Sequence, residues 1–188
     1  RRLNQDGTDI TIKNGSFPPV GELTFDPYVY GSYAGASNFV DVAACGGGMY
    51  SVLDSKRGRV FTYDSQGNLL YIFGGRGDQK GQFNQPCALI YNGDEILVAD
   101  RSRNNVQVFV PTEYARLIKS AITEYNTGEY EKEYESWKEI ALNFSGSELA
   151  YSGIGRYHYN NAEYSKALEY FKMANNRKYY SVAVKKYI

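Results

Sequence analysis

Residues able to do acid–base or nucleophilic chemistry are few in this chain. It has one histidine, His158, and two cysteines, Cys45 and Cys87, neither of which lies near His158 in the sequence. A Ser-His-Asp or Cys-His arrangement would have to use that single imidazole, and the sequence lacks His and Cys at metal-ligand spacing. We therefore predict no catalytic residue, no metal site and no cofactor, and we expect a protein that is not an enzyme.

Two aspartates begin a segment that occurs twice. Asp54 begins Asp-Ser-Lys-Arg-Gly-Arg-Val-Phe, and Asp100 begins Asp-Arg-Ser-Arg-Asn-Asn-Val-Gln. Each is predicted to end a strand, where a carboxylate can accept backbone N–H bonds from the following turn. A structural role is therefore expected. The alternative is a functional role at the rim of a central channel, because loop residues often carry function.

Charge and composition exclude or favour other classes of function. The chain has 21 basic and 21 acidic residues, so it lacks the basic excess of a nucleic-acid-binding domain, and no nucleic-acid partner is expected. The glycine-rich segment 74–78 has no Gly-Lys-Ser/Thr and no following helix, which predicts a connecting loop. Tyrosine is abundant, with 19 of 188 residues. These rings either fill half-buried repeat positions or form a surface for peptide or carbohydrate.

The elements that must position these residues begin with strands. Short apolar and β-branched runs, separated by glycine- and asparagine-rich turns, predict seven strands in the first half of the chain. The predicted strands span residues 39–44, 49–53, 59–63, 68–73, 86–91, 95–99 and 105–109. Four of them form one unit, and the second unit stops after three strands because Pro111 follows.

The second of these units resembles NHL repeats. The resemblance rests on residues 81–86 leading into a strand, on 96–100 ending in Asp, and on 104–109. It extends over residues 39–110 and implies four-stranded blades of a β-propeller. About two blades are implied, with the tail of an earlier blade and an insertion in segment 1–38. We expect residues 1–110 to form a partial propeller and the chain to be a piece of a larger protein.

After Pro111 the apolar residues recur at helical spacing and predict five helices. Their breaks are predicted at residues 126–128, 143–146, 160–161 and 175–176. Tyr130, Tyr134 and Trp137 recur as Tyr164, Leu168 and Phe171, and this period resembles that of tetratricopeptide (TPR) repeats. The resemblance implies a TPR-like array in residues 111–188. Gly153 and Gly155 are predicted to let neighbouring helices approach closely, and Glu133 stands where the family has a small residue.

The tetratricopeptide resemblance also implies a binding face. Such repeats bind extended partners along a concave surface lined by the first helix of each pair. In this chain that surface would present Ile122 together with the candidate binding residues. The candidate binding residues are Tyr125, Asn126, Arg156, Tyr159 and Asn160. The alternative is that the helical pairs serve only as a spacer.

The fold class expected is therefore multidomain, with antiparallel β-sheets followed by an α-helical array. This order resembles envelope-associated NHL-repeat proteins of Gram-positive bacteria, which implies an extracytoplasmic or cell-surface location. The function expected is a non-enzymatic binding scaffold, with a protein or peptide partner, or alternatively a glycan. Membrane proximity would come through sequence outside this chain. The rival hypothesis is part of a propeller hydrolase or lyase whose catalytic residues lie outside it.

Overall fold

The computed structural model describes residues 3–8, 10, 21–22 and 36–188. The chain divides into two compact units, Arg1–Pro111 and Thr112–Ile188, called here the sheet unit and the helical unit. The tail of an earlier blade, predicted in segment 1–38, lies mostly outside the described residues. Sheets followed by helices are confirmed as the order of the fold.

The described part of the sheet unit contains two antiparallel sheets. The first pairs its strands in the order β1-β2-β3-β4 and the second in the order β5-β6-β7, so each strand pairs with its neighbour in sequence. The strands are β1 Phe39–Cys45, β2 Met49–Asp54, β3 Arg59–Tyr63, β4 Leu69–Gly74, β5 Pro86–Asn92, β6 Glu95–Asp100 and β7 Asn105–Phe109. All seven predicted strands are confirmed.

The two sheets share one apolar core. Its buried residues come from both sheets and from the loop that joins them. They are Leu53, Val60, Phe83, Leu89, Ile96 and Val98. Polar bonds also join the sheets, since Leu89 donates its backbone N–H to Asp41 Oδ2 at 2.8 Å and Ser51 Oγ lies 2.7 Å from Tyr91 Oη. These contacts fix β5 against the first two strands of the other sheet.

The repeated aspartates accept backbone N–H bonds, as predicted. Asp54 Oδ1 accepts them from Lys56 and Arg57 in the β2–β3 turn, and from Asn38 just before β1. Asp100 accepts four such bonds, two of them from the β6–β7 turn. Its donors are Asn84, Gln85, Ser102 and Arg103. Burial raises the pKa of Asp100, but these four bonds lower it more, so the net shift is below the ordinary value. Each carboxylate thus links the residues just before the first strand of its sheet to the turn that follows the second strand.

The helical unit consists of five helices in the described chain. They are α1 Glu113–Thr127, α2 Tyr130–Asn143, α3 Glu148–Asn160, α4 Tyr164–Met173 and α5 Arg177–Tyr187. Three helices begin at side-chain caps, in which Thr112, Ser147 and Asn176 accept a backbone N–H from the first turn. Gly128 ends α1 with a φ of 81°, a left-handed conformation that favours glycine. Consecutive helices pack against each other.

Small residues let the helices pack closely around two large rings. A Cβ atom on Gly153 would lie 2.5 Å from the ring of Trp137, and one on Gly155 would lie 2.6 Å from the ring of Phe171. Both rings are buried, and so is Ala167. The predicted role of Gly153 and Gly155 in close helix approach is therefore confirmed.

Candidate functional site

The five candidate binding residues lie at the C-terminal ends of two helices. Tyr125 and Asn126 are in the last turn of α1, and Arg156, Tyr159 and Asn160 are in the last turns of α3. Both asparagines are exposed, whereas the tyrosines and the arginine are half-buried. The prediction was wrong for Ile122, which is only 5% exposed, because it turns into the helix core instead of towards solvent.

The structure brings Arg156 and Tyr125 together. The guanidinium carbon of Arg156 lies 5.3 Å from the centre of the Tyr125 ring, within the range of a cation–π contact. Nη2 of the same guanidinium lies 3.4 Å from Glu133 Oε1. Its Nε is buried and has no hydrogen-bond partner among the described residues. The Arg156 guanidinium is thus held between the Tyr125 ring and the Glu133 carboxylate.

Glu133 is a neighbour of Arg156 that the sequence analysis did not assign to the candidate site. Its side chain is buried, and its Oε1 accepts a hydrogen bond of 2.9 Å from Trp137 Nε1. Burial raises the pKa of Glu133, whereas the hydrogen bond from Trp137 and the positive charge of Arg156 lower it by less, so the net shift is upward. The spacing of four residues between Glu133 and Trp137 was the signal available, because it puts both on one helix face. The contact with Arg156 needed the tertiary fold.

Tyr125 and Tyr159 make the same contact at equivalent positions of the repeat. The Tyr125 ring lies 6.0 Å from the Tyr130 ring at an angle of 61°, and Tyr159 lies 5.6 Å from Tyr164 at 62°. Each pair joins the end of one helix to the beginning of the next. An exposed asparagine follows the first tyrosine in both cases. The sequence repeat is therefore also a repeat of side-chain geometry.

The single histidine has a packing role. His158 is 6% exposed, and its Nδ1 hydrogen-bonds Glu163 Oε2. Its ring stacks on Tyr170 with centroids 5.4 Å apart and meets Tyr134 edge-on at 5.5 Å. Bonds from Lys166 and His158 hold the pKa of Glu163 below its ordinary value. The imidazole is therefore enclosed by a carboxylate and aromatic rings.

No protein-family model matches the chain, and no curated protein is significantly similar to it.

Both cysteines are free thiols. In the described ranges, three or more His, Cys, Asp or Glu side chains never gather in a group that could hold a metal ion. None of the five helices has both the length and the apolar composition needed to cross a bilayer, within the same described ranges.

Proposed function

We propose that the chain is a non-enzymatic binding module whose helical unit holds an extended peptide segment of a protein partner. The proposed contact surface is named here the Tyr–Asn face. It consists of Tyr125, Asn126, Arg156, Tyr159 and Asn160. The observation that carries the proposal is the repetition, at two helix ends, of a braced tyrosine followed by an exposed asparagine.

The residue types suit recognition of a peptide backbone. The carboxamides of Asn126 and Asn160 can each donate and accept a hydrogen bond, and a peptide group offers both an N–H and a C=O. Tyr125 and Tyr159 supply apolar area with few rotatable bonds, so little side-chain entropy is lost on binding. Equivalent positions in successive helical pairs would contact successive parts of an extended chain.

Arg156 supports the same proposal through its pre-organisation. Tyr125 and Glu133 already restrict its side chain, so binding costs less conformational entropy than it would for a free arginine. The guanidinium has five N–H donors, and Glu133 uses only part of that capacity. We expect Arg156 to donate to a carbonyl or carboxylate oxygen of the peptide.

We also propose the finer architecture that the sequence indicates. Consecutive antiparallel pairing, packing of one sheet on the next and equivalent buried aspartates support NHL-type blades in the sheet unit. The repeated tyrosine contacts and the small residues between helices support TPR-type pairs in the helical unit. We propose an extracytoplasmic or cell-surface location as well, which the resemblance to envelope-associated proteins supports.

The test is a selection of linear peptides from a random library against the whole chain, followed by affinity measurements on variants. Replacing Asn126 and Asn160 together by Ala removes two side chains that lie outside the buried core. This double variant is expected to bind the selected peptides about thirtyfold more weakly, because each of the two lost hydrogen bonds is worth about 1 kcal/mol.

The matched control is Lys172→Ala, an exposed position on α4 outside the Tyr–Asn face, which should leave affinity unchanged. Tyr159→Phe keeps the ring that packs against the buried cluster of Ala167, Phe171 and Ala183, and it tests the hydroxyl alone. If the double asparagine variant binds the selected peptides as tightly as the original chain, the Tyr–Asn face is not the binding surface.

A further inference from the structure

The sheet unit contains a cleft of about 900 Å³ where β1 and β5 begin. Its walls come from the residues that precede these two strands, from the β2–β3 and β6–β7 turns, and from the loop after β4. The six polar and charged residues that matter here are Asn38, Lys56, Arg76, Asn84, Gln85 and Arg101, called the cationic cleft.

The buried aspartates build the walls of the cationic cleft. Asp54 accepts the backbone N–H groups of Asn38 and Lys56, at 3.0 and 2.8 Å. Asp100 accepts those of Asn84 and Gln85, at 2.7 and 3.1 Å. Four of the six cleft residues are therefore fixed through their own backbone by buried carboxylates. The cleft is a pre-formed feature of the fold and not a gap between loose loops.

The charge of the cleft is positive. Three cations line it, and no carboxylate does so among the described residues. Arg76 Nη1 donates to the backbone oxygens of Ser55 and Lys56, so this guanidinium lies against the β2–β3 turn. The Lys56 ammonium and the Arg101 guanidinium have no hydrogen-bond or ion-pair partner within the described chain. A concave surface lined by positive charges concentrates their electric field and so attracts anions.

Besides the two buried aspartates of the walls, one exposed acidic residue lies close by, and its charge is paired. Asp78 Oδ1 accepts a bond of 2.6 Å from Asn84 Nδ2, and it lies 3.5 Å from Arg103 Nη2. The Asp78 side chain is 89% exposed, so water screens it as well. The carboxylates of Asp54 and Asp100 accept backbone N–H bonds and do not line the cleft, so the charged side chains of its described lining are all cations.

We propose that the cationic cleft binds an acidic oligosaccharide, with Lys56 and Arg101 pairing with its carboxylates. Side-chain amides stand beside the cations, and amides both donate and accept, as sugar hydroxyls do. The described lining contains no aromatic ring on which a nucleobase could stack, which disfavours a nucleotide. The volume exceeds what a single small anion such as phosphate would fill, and it lies within the range of small-molecule sites.

The test is calorimetric titration of the whole chain with a trisaccharide of galacturonic acid. Lys56→Gln and Arg101→Gln each remove one charge, and neither change breaks a side-chain hydrogen bond or ion pair within the described chain. Each variant is expected to weaken binding about tenfold, because it loses a charge-assisted bond to a carboxylate of the sugar. High concentrations of sodium chloride should weaken binding by the original chain in the same direction.

The controls separate this proposal from its competitors. Lys80→Gln makes the same charge change at an exposed position outside the lining and should bind normally. The neutral galactose trisaccharide should not bind. Equal binding of the neutral sugar would overturn the proposal, as would tetraglutamate or inorganic phosphate binding as tightly as the acidic sugar. Unchanged binding by the doubly substituted Lys56→Gln, Arg101→Gln chain would also overturn it.

Discussion

Asp54 and Asp100 occupy equivalent positions but are bonded differently. In Asp54 the three backbone N–H donors within the described chain all bond to Oδ1, and Oδ2 is buried with no partner among the described residues. In Asp100 both oxygens accept backbone N–H bonds. Substitution of asparagine, which replaces one carboxylate oxygen by an NH₂ group, is therefore tolerable at Asp54. At Asp100 the new NH₂ group would have to face a backbone N–H group, so two donors would meet.

We predict that Asp100→Asn destabilises the sheet unit by about 1–3 kcal/mol and that Asp54→Asn costs clearly less. In the Asp54→Asn variant, the amide oxygen can stay towards the three donors, and the amide nitrogen takes the place of the unpartnered oxygen. In the Asp100→Asn variant, at least one buried N–H group is left without an acceptor. Hydrogen exchange of the β-strand amides in increasing urea measures both losses, and equal losses would contradict the assigned bonding.

Glu133 is expected to make the stability of the helical unit depend on pH. Its pKa is raised in the fold, chiefly by burial, so the folded chain binds its proton more tightly than the unfolded chain does. The stability that this group contributes is complete below the ordinary pKa of a glutamate, about 4.3. It is lost as the pH rises from there through the folded pKa.

We predict that Glu133→Gln removes this loss, so the variant gains stability relative to the original chain as pH rises through that window. Glutamine keeps an oxygen for Trp137 Nε1, so the local packing is preserved. Trp137 is the single tryptophan and is buried in the helical unit, so its fluorescence in urea titrations reports this unit directly. A stability difference that is independent of pH would show that Glu133 does not titrate differently on folding.

Residue roles were predictable where they depend on local sequence. A carboxylate at the end of a strand and before a turn has backbone N–H groups within reach, and this suffices to assign Asp54 and Asp100. The partnership of Glu133 with Arg156 joins α2 to α3, so it depends on how two helices rotate about their axes. Neither residue type nor spacing in one chain determines that rotation.

Glycines at the helix contacts set how close α3 comes to its neighbours. Gly155 faces Phe171 on α4, and Gly153 faces Trp137 on α2. Both rings are buried and held by other contacts, so they cannot move away freely. The spacing of these helices therefore depends on the absence of two methyl groups.

We predict that Gly155→Ala destabilises the helical unit by a net amount of up to about 2 kcal/mol, because overpacking costs about 1–3 kcal/mol, although alanine is the better helix former. The new Cβ atom would lie 2.6 Å from the Phe171 ring, so the overpacking outweighs the gain in helix propensity of about 1 kcal/mol. Urea titration followed by Trp137 fluorescence measures the change.

Ser120→Ala is the matched control, because Ser120 is an exposed position within α1 of the same unit. This change improves helix propensity without putting a methyl group into packed space, so a stabilisation of a few tenths of a kcal/mol is expected. A Gly155→Ala chain that is stabilised in the same way would contradict the packing described.

Element boundaries were predicted to within one or two residues because local signals determine them. Turn residues such as Asn92 and Gly93 end strands, and caps such as Thr112 and Ser147 begin helices. The burial of Ile122 was not predicted, because the face that a helix turns inward is decided by its neighbours. For the same reason, the enclosed position of His158 was not predicted from the sequence.

At the scale of the whole molecule, each unit has its own core. The helical unit buries Ile118, Trp137, Ile140, Ile154 and Phe171 among its own five helices. Its first helix starts at its own cap, Thr112. A unit with its own core and capped ends is expected to fold by itself.

We predict that a shortened chain of residues 112–188 folds alone. Trp137 should then show the emission of a buried indole, and the circular dichroism should be that of a mostly helical protein, with cooperative loss of both signals in urea. The changes in stability caused by Glu133→Gln and Gly155→Ala should have the same sign in the shortened chain as in the whole chain. Emission typical of an exposed indole would contradict an independent helical core.

The order of sheets and then helices was predictable because two different periods divide the chain, one joining Asp54 to Asp100 and the other Tyr130 to Tyr164. The proposed binding surfaces were predictable only in part, since a binding surface depends on which exposed side chains the fold brings together. The Tyr–Asn face was predicted from its repeated residues, but the cationic cleft was not. The cleft combines the beginnings of two strands with turns from both sheets, and these segments are adjacent only in the folded unit.

The most direct test of the proposed function is a nuclear magnetic resonance titration of the whole chain with a peptide selected for binding. We predict that the largest shift changes fall on the Tyr–Asn face, at Asn126 and Asn160 in particular, and that they vanish in the Asn126→Ala, Asn160→Ala chain. Shift changes confined to the sheet unit or to α5, with the Tyr–Asn face unaffected, would contradict the proposed function.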